Sequence, residues 1–134
     1  MQALLSGCRW LKLNQQKLVE VDSASTQSLL RGAQELANRI GVQTVIVTRG
    51  AEGAVAVTAD GSAICPPVRT ISLADSVGAG DAFSAVTLLG ILNGWSLGTT
   101  LQRATAFAAA VCEIVGAVPN DVAFYRPHIE AWQR

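Results

Sequence analysis

Thr44-Val45-Ile46-Val47-Thr48 is an unbroken run of five β-branched residues. Such side chains are stiff at χ1 and pack well on a pleated surface. The run is too short for a helix and does not alternate, which is the pattern of a strand buried on both faces. Upstream, Ser23 to Ile40 reads as an amphipathic helix. Leu29, Leu30, Ala33, Leu36, Ala37 and Ile40 fall at three- and four-residue spacing, and Gly41 stands just past the end as a C-cap. Before it, Cys8-Arg9-Trp10-Leu11-Lys12-Leu13 reads as a short strand ending at Asn14. Strand, helix and strand in this order imply a parallel crossover, so the class is α/β.

Downstream, Arg49 to Gly53 is a turn with two glycines, and Ala54 to Thr58 is a further strand. Ala59-Asp60-Gly61-Ser62 reads as a hairpin turn into a strand around Ala63-Ile64-Cys65, which Pro66-Pro67 breaks. Val68 to Ser72 is a candidate for one more strand. Helices follow. One spans about Ala79 to Asn93 and is ended by Gly94. A second runs from Ser96 or Leu97 to about Val115, ended by Gly116, and Pro127 opens a last short helix through Ile129 and Trp132.

The 134 residues suit one domain, and an apolar fraction of 50% with only 15% charged is ample for a core. Ten basic and ten acidic residues cancel, and no Lys/Arg cluster forms a nucleic-acid footprint. Cys8, Cys65 and Cys112 are far apart and without metal-ligand spacing, so they read as reduced, mostly buried thiols of a cytosolic protein. No apolar stretch approaches the roughly 18 residues of a membrane span, and no signal peptide is expected.

The stretch richest in chemistry is Asp75-Ser76-Val77-Gly78-Ala79-Gly80-Asp81-Ala82-Phe83. Gly78-Ala79-Gly80 opens a helix, whose N-terminus offers unpaired N–H groups and the positive end of the macrodipole. Glycines let a phosphate come close to those groups, so the turn is a plausible anion cradle. Asp81 in the first turn repels a phosphate but suits a base that takes the proton of an attacking hydroxyl. Asp75, on the loop before, suits cation binding or loop organisation. The plainer alternative is a glycine turn before a helix with a good first-turn acid.

The nine residues together resemble the C-terminal signature of the ribokinase-like (PfkB) carbohydrate kinases, commonly D-T-x-G-A-G-D-x-F. Three further segments match in order. Trp10-Leu11-Lys12-Leu13-Asn14 is similar to the strand ending in the Asn of the family's N-x-x-E motif. Val47 to Ala54 is similar to its strand-turn-strand beside the nucleotide. Ala104 to Ala117, followed by Val118-Pro119, is similar to its adenine-side helix and G-A-x-P loop.

The resemblance implies a three-layer ribokinase-like (Rossmann-like) α/β fold and ATP-dependent phosphorylation of a sugar or nucleoside hydroxyl, with Mg²⁺ and a monovalent cation such as K⁺ as cofactors. It implies Asp81 as catalytic base and the N–H groups of Gly78, Ala79 and Gly80 as the anion hole. Asp75 would help hold the monovalent cation, with loop carbonyls near Gly116. Asn14, Thr48, Gly50 and Gly53 would line the nucleotide. Ala108 and Cys112 would face the adenine, with Thr105 at its edge; plain core packing is the alternative for this alanine-rich helix.

Two departures stand out. The N-x-x-E motif runs here as Asn14-Gln15-Gln16-Lys17, so a cation replaces the acid that organises Mg²⁺. Glu20, one turn on, could substitute only with a shifted local helix. The chain is also about half the length of full members and matches their C-terminal, nucleotide-side half, without the sugar site and lid. An open sheet edge and an uncovered apolar face would then favour self-association into a homo-oligomer or a separate partner. Of the remaining residues, His128 reads as exposed or capping, Trp10, Trp95 and Trp132 as packing or interface residues, Arg49 and Arg103 as exposed, and Asp121 as a cap. Two functions stand side by side: a sugar kinase, or a nucleotide- or anion-binding module without turnover. A remnant with neither activity is a third.

Overall fold

A computed structural model describes residues 7–18, 25–69, 73–116 and 118–134. The β-branched run forms β2 (Thr44–Thr48), flanked by β1 (Trp10–Asn14) and β3 (Ala54–Thr58), with β4 (Gly61–Cys65) outermost. β1 and β2 are parallel, with α1 (Thr26–Ile40) between them in sequence, whereas β2–β3 and β3–β4 are antiparallel. The crossover expected from the sequence is therefore present. α1 starts on the Ser25 side chain, whose Oγ accepts the Ser28 N–H at 3.2 Å, and ends on left-handed Gly41. The expected start at Ser23, and Glu20, lie outside the described residues.

The sheet separates two apolar layers. On one side Val45, Val47, Val55 and Val57 pack against Leu29, Ala33 and Ala37 of α1. On the other, Ile46, Ala54, Ala56 and Cys65 meet Phe83 and Val86 of α2 (Ala79–Leu92) and Leu101, Ala104, Phe107 and Val111 of α3 (Leu97–Val111). β2 contributes to both layers, as its unbroken pattern requires. Each fully buried Val or Leu here stabilises the fold by ~1.5–3 kcal/mol.

Four expectations need correction. α3 ends at Val111, not near Val115. There the chain tightens into i→i−3 bonds, Glu113 N–H to Ala110 at 3.1 Å and Ile114 N–H to Val111 at 3.3 Å. Glu113 is also an unfavourable charge at a helix C-terminus. The last helix, α4 (Val122–Trp132), begins well before Pro127, which lies inside it. Asp121 accepts the Ala123 N–H at 2.9 Å and starts the helix. Phe124, Tyr125, His128 and Trp132 then surround Phe107 of α3, with ring centroids 5.0–6.1 Å away, and hold the helix despite the lost Pro127 N–H. His128 is thus half-buried among rings, neither exposed nor a cap, and burial pushes its pKa down. Val68 and Arg69 are not in a strand, and residues 70–72 of that candidate lie outside the described residues.

α2 and α3 pack closely at Gly90, where an added Cβ would lie 2.6 Å from Thr100 Oγ1 and 3.0 Å from Trp95. Gly98, at the start of α3, faces open space. The two glycines should therefore respond oppositely in urea unfolding. Gly90→Ala is expected to destabilise by ~1–3 kcal/mol through overpacking. Gly98→Ala is expected to stabilise by up to ~1 kcal/mol through helix propensity.

Candidate active site

Strand register brings one row of residues to a single end of the sheet. Asn14 is opposite Thr48, Thr48 opposite Ala54, and Ala54 opposite Cys65. This is the carboxyl end of the parallel pair, where open α/β sheets place their ligands. Thr48 Oγ1 reaches the Leu13 carbonyl at 3.4 Å, and Asn14 Oδ1 accepts the Lys17 N–H at 3.1 Å, which fixes the 3₁₀ turn Gln15–Leu18. A second 3₁₀ turn, Gly50–Glu52, joins β2 to β3 and ends on Gly53. Gly53 has φ +88°, and a Cβ there would fall on the Cys65 carbonyl, so only glycine fits. Gly50 is exposed at the tip of this turn. Arg49 is only partly exposed: it donates to Thr26 Oγ1 at 3.1 Å and lies 3.8 Å from Glu52. Those partners make it a clamp between the turn and α1.

The glycine turn builds the start of α2. Gly78 is left-handed with φ 84°, and the first helical bond is Ala82 N–H to the Gly78 carbonyl at 2.8 Å. The N–H groups of Ala79, Gly80 and Asp81 therefore precede the helical ladder; that of Ala79 turns back to the Ser76 carbonyl at 3.4 Å. Asp81 is exposed in the first turn. The Gly80 carbonyl accepts from Ser84 Oγ at 2.8 Å and from Lys12 Nζ at 3.4 Å. Lys12 Nζ also lies 5.9 Å from the centre of the Phe83 ring. An ammonium group thus stands beside the cradle, reaching across from β1.

Asp75 is held by the end of α3. The Cys112 carbonyl accepts both the Ala74 N–H at 2.9 Å and the Asp75 N–H at 3.2 Å. Asp75 Oδ1 in turn accepts the Val77 N–H at 2.9 Å and shapes the turn into Gly78. The short α3 therefore has a structural use, since its freed carbonyl anchors the signature loop. Burial pushes the Cys112 thiol pKa up, and the carboxylates of Asp75 and Glu113 push it further.

The residues singled out in the sequence form two groups: Asn14, Thr48, Gly50 and Gly53 at the sheet end, and Asp75, Gly78, Ala79, Gly80, Asp81 and Cys112 around the α2 start. Lys12 links the cradle to β1. Ala108 and Thr105 lie deeper. Ala108 packs against the core layer, and Thr105 is only 8% exposed, its Oγ1 without a hydrogen-bond partner among the described residues. Lys12, which no chemical motif singles out, stands beside the cradle. Its signal is the period-2 alternation of β1, in which Leu11 and Leu13 face α1 and Lys12 faces the cradle.

The model of the pfkB family carbohydrate kinases matches residues 1–122, and the chain belongs to that family. It is 31% identical over 94 residues to 5-dehydro-2-deoxygluconokinase of Clostridium beijerinckii, covering 70% of this chain and 26% of that one. The fold is ribokinase-like. Arabidopsis thaliana ribokinase, solved with ribose and ATP, superposes with a TM-score of 0.82 at 19% identity, over 96% of this chain and 43% of that one. Escherichia coli phosphofructokinase-2, solved with potassium, gives 0.74 at 24% identity, over 99% and 44%. The chain thus spans less than half the length of each.

The Asp75–Cys112 contact has a chemical readout. Removing the Asp75 charge should lower the thiol pKa and increase the thiolate fraction. Asp75→Asn is expected to speed iodoacetamide labelling of Cys112 at mildly alkaline pH, followed by peptide mass spectrometry. Unchanged labelling would place the carboxylate away from the thiol.

Proposed function

We propose that this chain is the nucleotide-side part of an ATP-dependent sugar kinase and transfers the γ-phosphoryl group of ATP to a sugar hydroxyl. The observation that carries the reading is the cradle at the start of α2: a left-handed glycine, N–H groups ahead of the helical ladder, a first-turn carboxylate and an ammonium group beside them. The Lys12 contact, which ties the cradle to a parallel strand, supports the reading. The Gly80 and Asp81 N–H groups, together with the helix dipole, would stabilise charge developing on the transferred phosphoryl. Asp81 would accept the proton of the attacking hydroxyl as the new O–P bond forms and the bond to ADP breaks. Asn14, Thr48, Gly50 and Gly53 would line the nucleotide, with Ala108, Cys112 and Thr105 on its adenine side. A monovalent cation would sit against Asp75 and the carbonyls near Gly116.

The family implies a Mg²⁺ ion, and Lys17 stands here at the position of the acid that organises it. The same lysine favours a second reading, a nucleotide-binding module without turnover.

The sugar site would come from sequence outside this match, from a partner or from another copy of the chain. Two surfaces would receive it. Among the described residues β1 is an edge strand, and Leu88 and Leu92 of α2 are 57% and 76% exposed. Light scattering of the chain alone should give a mass above the 14.0 kDa of one copy. A strictly monomeric chain at its highest soluble concentration would contradict self-association.

Turnover is tested with ATP and a panel of sugars and nucleosides, using Asp81→Asn as the control. The substitution is expected to lower kcat by ~10²–10⁴-fold while leaving ATP affinity nearly unchanged. Equal loss of binding and turnover would remove the base role from Asp81.

A further inference from the structure

The connection between α3 and α4 is tied at two places. At its near end the Cys112 carbonyl accepts the Ala74 and Asp75 N–H groups of the signature loop. At its far end the Pro119 carbonyl accepts the hydroxyl of Tyr125 at 2.9 Å. Tyr125 stands in the opening turn of α4, beyond residues 1–122 that match the family. Its ring is held without the hydroxyl, 6.1 Å from the Phe107 ring of α3 and 5.3 Å from that of Phe124. Asp121 fixes the start of the same helix through the Ala123 N–H. The phenol oxygen is thus a fixed point to which the connection is fastened. Between the two ties, Gly116 turns the backbone with φ +96°. Val115 and Val118 flank it along the chain, 90% and 69% exposed. Neither belongs to a core layer, and both offer apolar surface to the flat face of a base. Fastening both ends orders this surface before a ligand arrives, so that binding loses less backbone freedom.

We propose that Tyr125 is a positioning residue for the nucleotide: its hydroxyl, acting through the Pro119 carbonyl, holds the backbone around Gly116 in place for the adenine side of ATP. The inference rests on the nucleotide reading above and adds to it a residue of α4. Its action is confined to the base end of the ligand. The phosphate end meets the α2 start, which Tyr125 does not touch through any hydrogen bond among the described residues. Tyr125→Phe removes the tie and keeps the ring against Phe107 and Phe124, so it separates the hydroxyl from the packing.

The test is isothermal titration of the full chain with ATP in Mg²⁺ and K⁺, joined to amide NMR spectra of the ¹⁵N-labelled chain with and without saturating ATP. Wild type and Tyr125→Phe are compared after circular dichroism has established that the variant is folded. Tyr125→Phe should weaken ATP binding by roughly 3–10-fold, the range of one lost neutral hydrogen bond. At saturation the amides of Gly78, Gly80 and Asp81 should reach the same positions in both proteins. Those of Gly116 and Val118 should move with ATP in wild type and end elsewhere in the variant. A variant affinity within about twofold of wild type would overturn the inference. Saturated positions that differ at residues 78–81 as well would also overturn it, because the hydroxyl would then support the fold as a whole. Wild type alone provides a further check: ATP that moves the cradle amides but leaves Gly116 and Val118 unmoved would overturn the inference and leave the nucleotide reading intact. Absence of ATP binding by wild type would overturn both.

Discussion

Burial of β2 on both faces is the constraint on which the rest of the molecule depends. Val45 and Val47 require a cover on one side, which α1 provides, and Ile46 requires one on the other, which α2 and α3 provide. A strand with that need cannot stand at a sheet edge, so β1 and β3 must flank it. Parallel pairing with β1 then places Asn14 and Thr48 side by side at one sheet end. The alanines of β3 leave room for Phe83 and Phe107 to approach the sheet. The site is a consequence of this layering rather than an addition to it.

Electrostatics at the α2 start are arranged in opposition. Gly78 frees N–H groups and exposes the positive end of the helix, and Lys12 adds a full charge. Asp81 in the same turn, and Asp75 just before it, carry the opposite sign. A phosphate bound there would, in the proposed reading, meet attraction from amides and lysine with a carboxylate at hand to take a proton. Asp75 works differently, as a clasp. Through its backbone and its side chain it ties the end of α3 to the turn that opens α2. The loss of helix beyond Val111 is what frees the Cys112 carbonyl for that bond.

Much of this was legible in the sequence, and the parts that were not have physical reasons. β2 could be read from its β-branched run, α1 from its apolar spacing and Gly41, and the cradle from Gly78-Ala79-Gly80 before an apolar run. The end of α3 could not be read, because Ile114 and Val115 continue the apolar character while the backbone is diverted by the Ala74 and Asp75 N–H groups. Pro127 misled because proline favours the first helical turn. Capping by Asp121 and the packing of Phe124 and Tyr125 against Phe107 outweigh the hydrogen bond it removes. Lys12 belongs to no motif by chemistry alone. Its place beside the cradle follows from strand alternation and from a contact 68 residues away in sequence.

The central claim is that the start of α2 receives the phosphates of a nucleotide. An amide NMR titration of the ¹⁵N-labelled chain with ATP addresses it directly. The account predicts the largest shifts at Gly78, Gly80 and Asp81, with smaller ones at Thr48 and Gly53 across the sheet end. Shifts confined to other parts of the chain, with the amides of residues 78–81 unmoved, would contradict it.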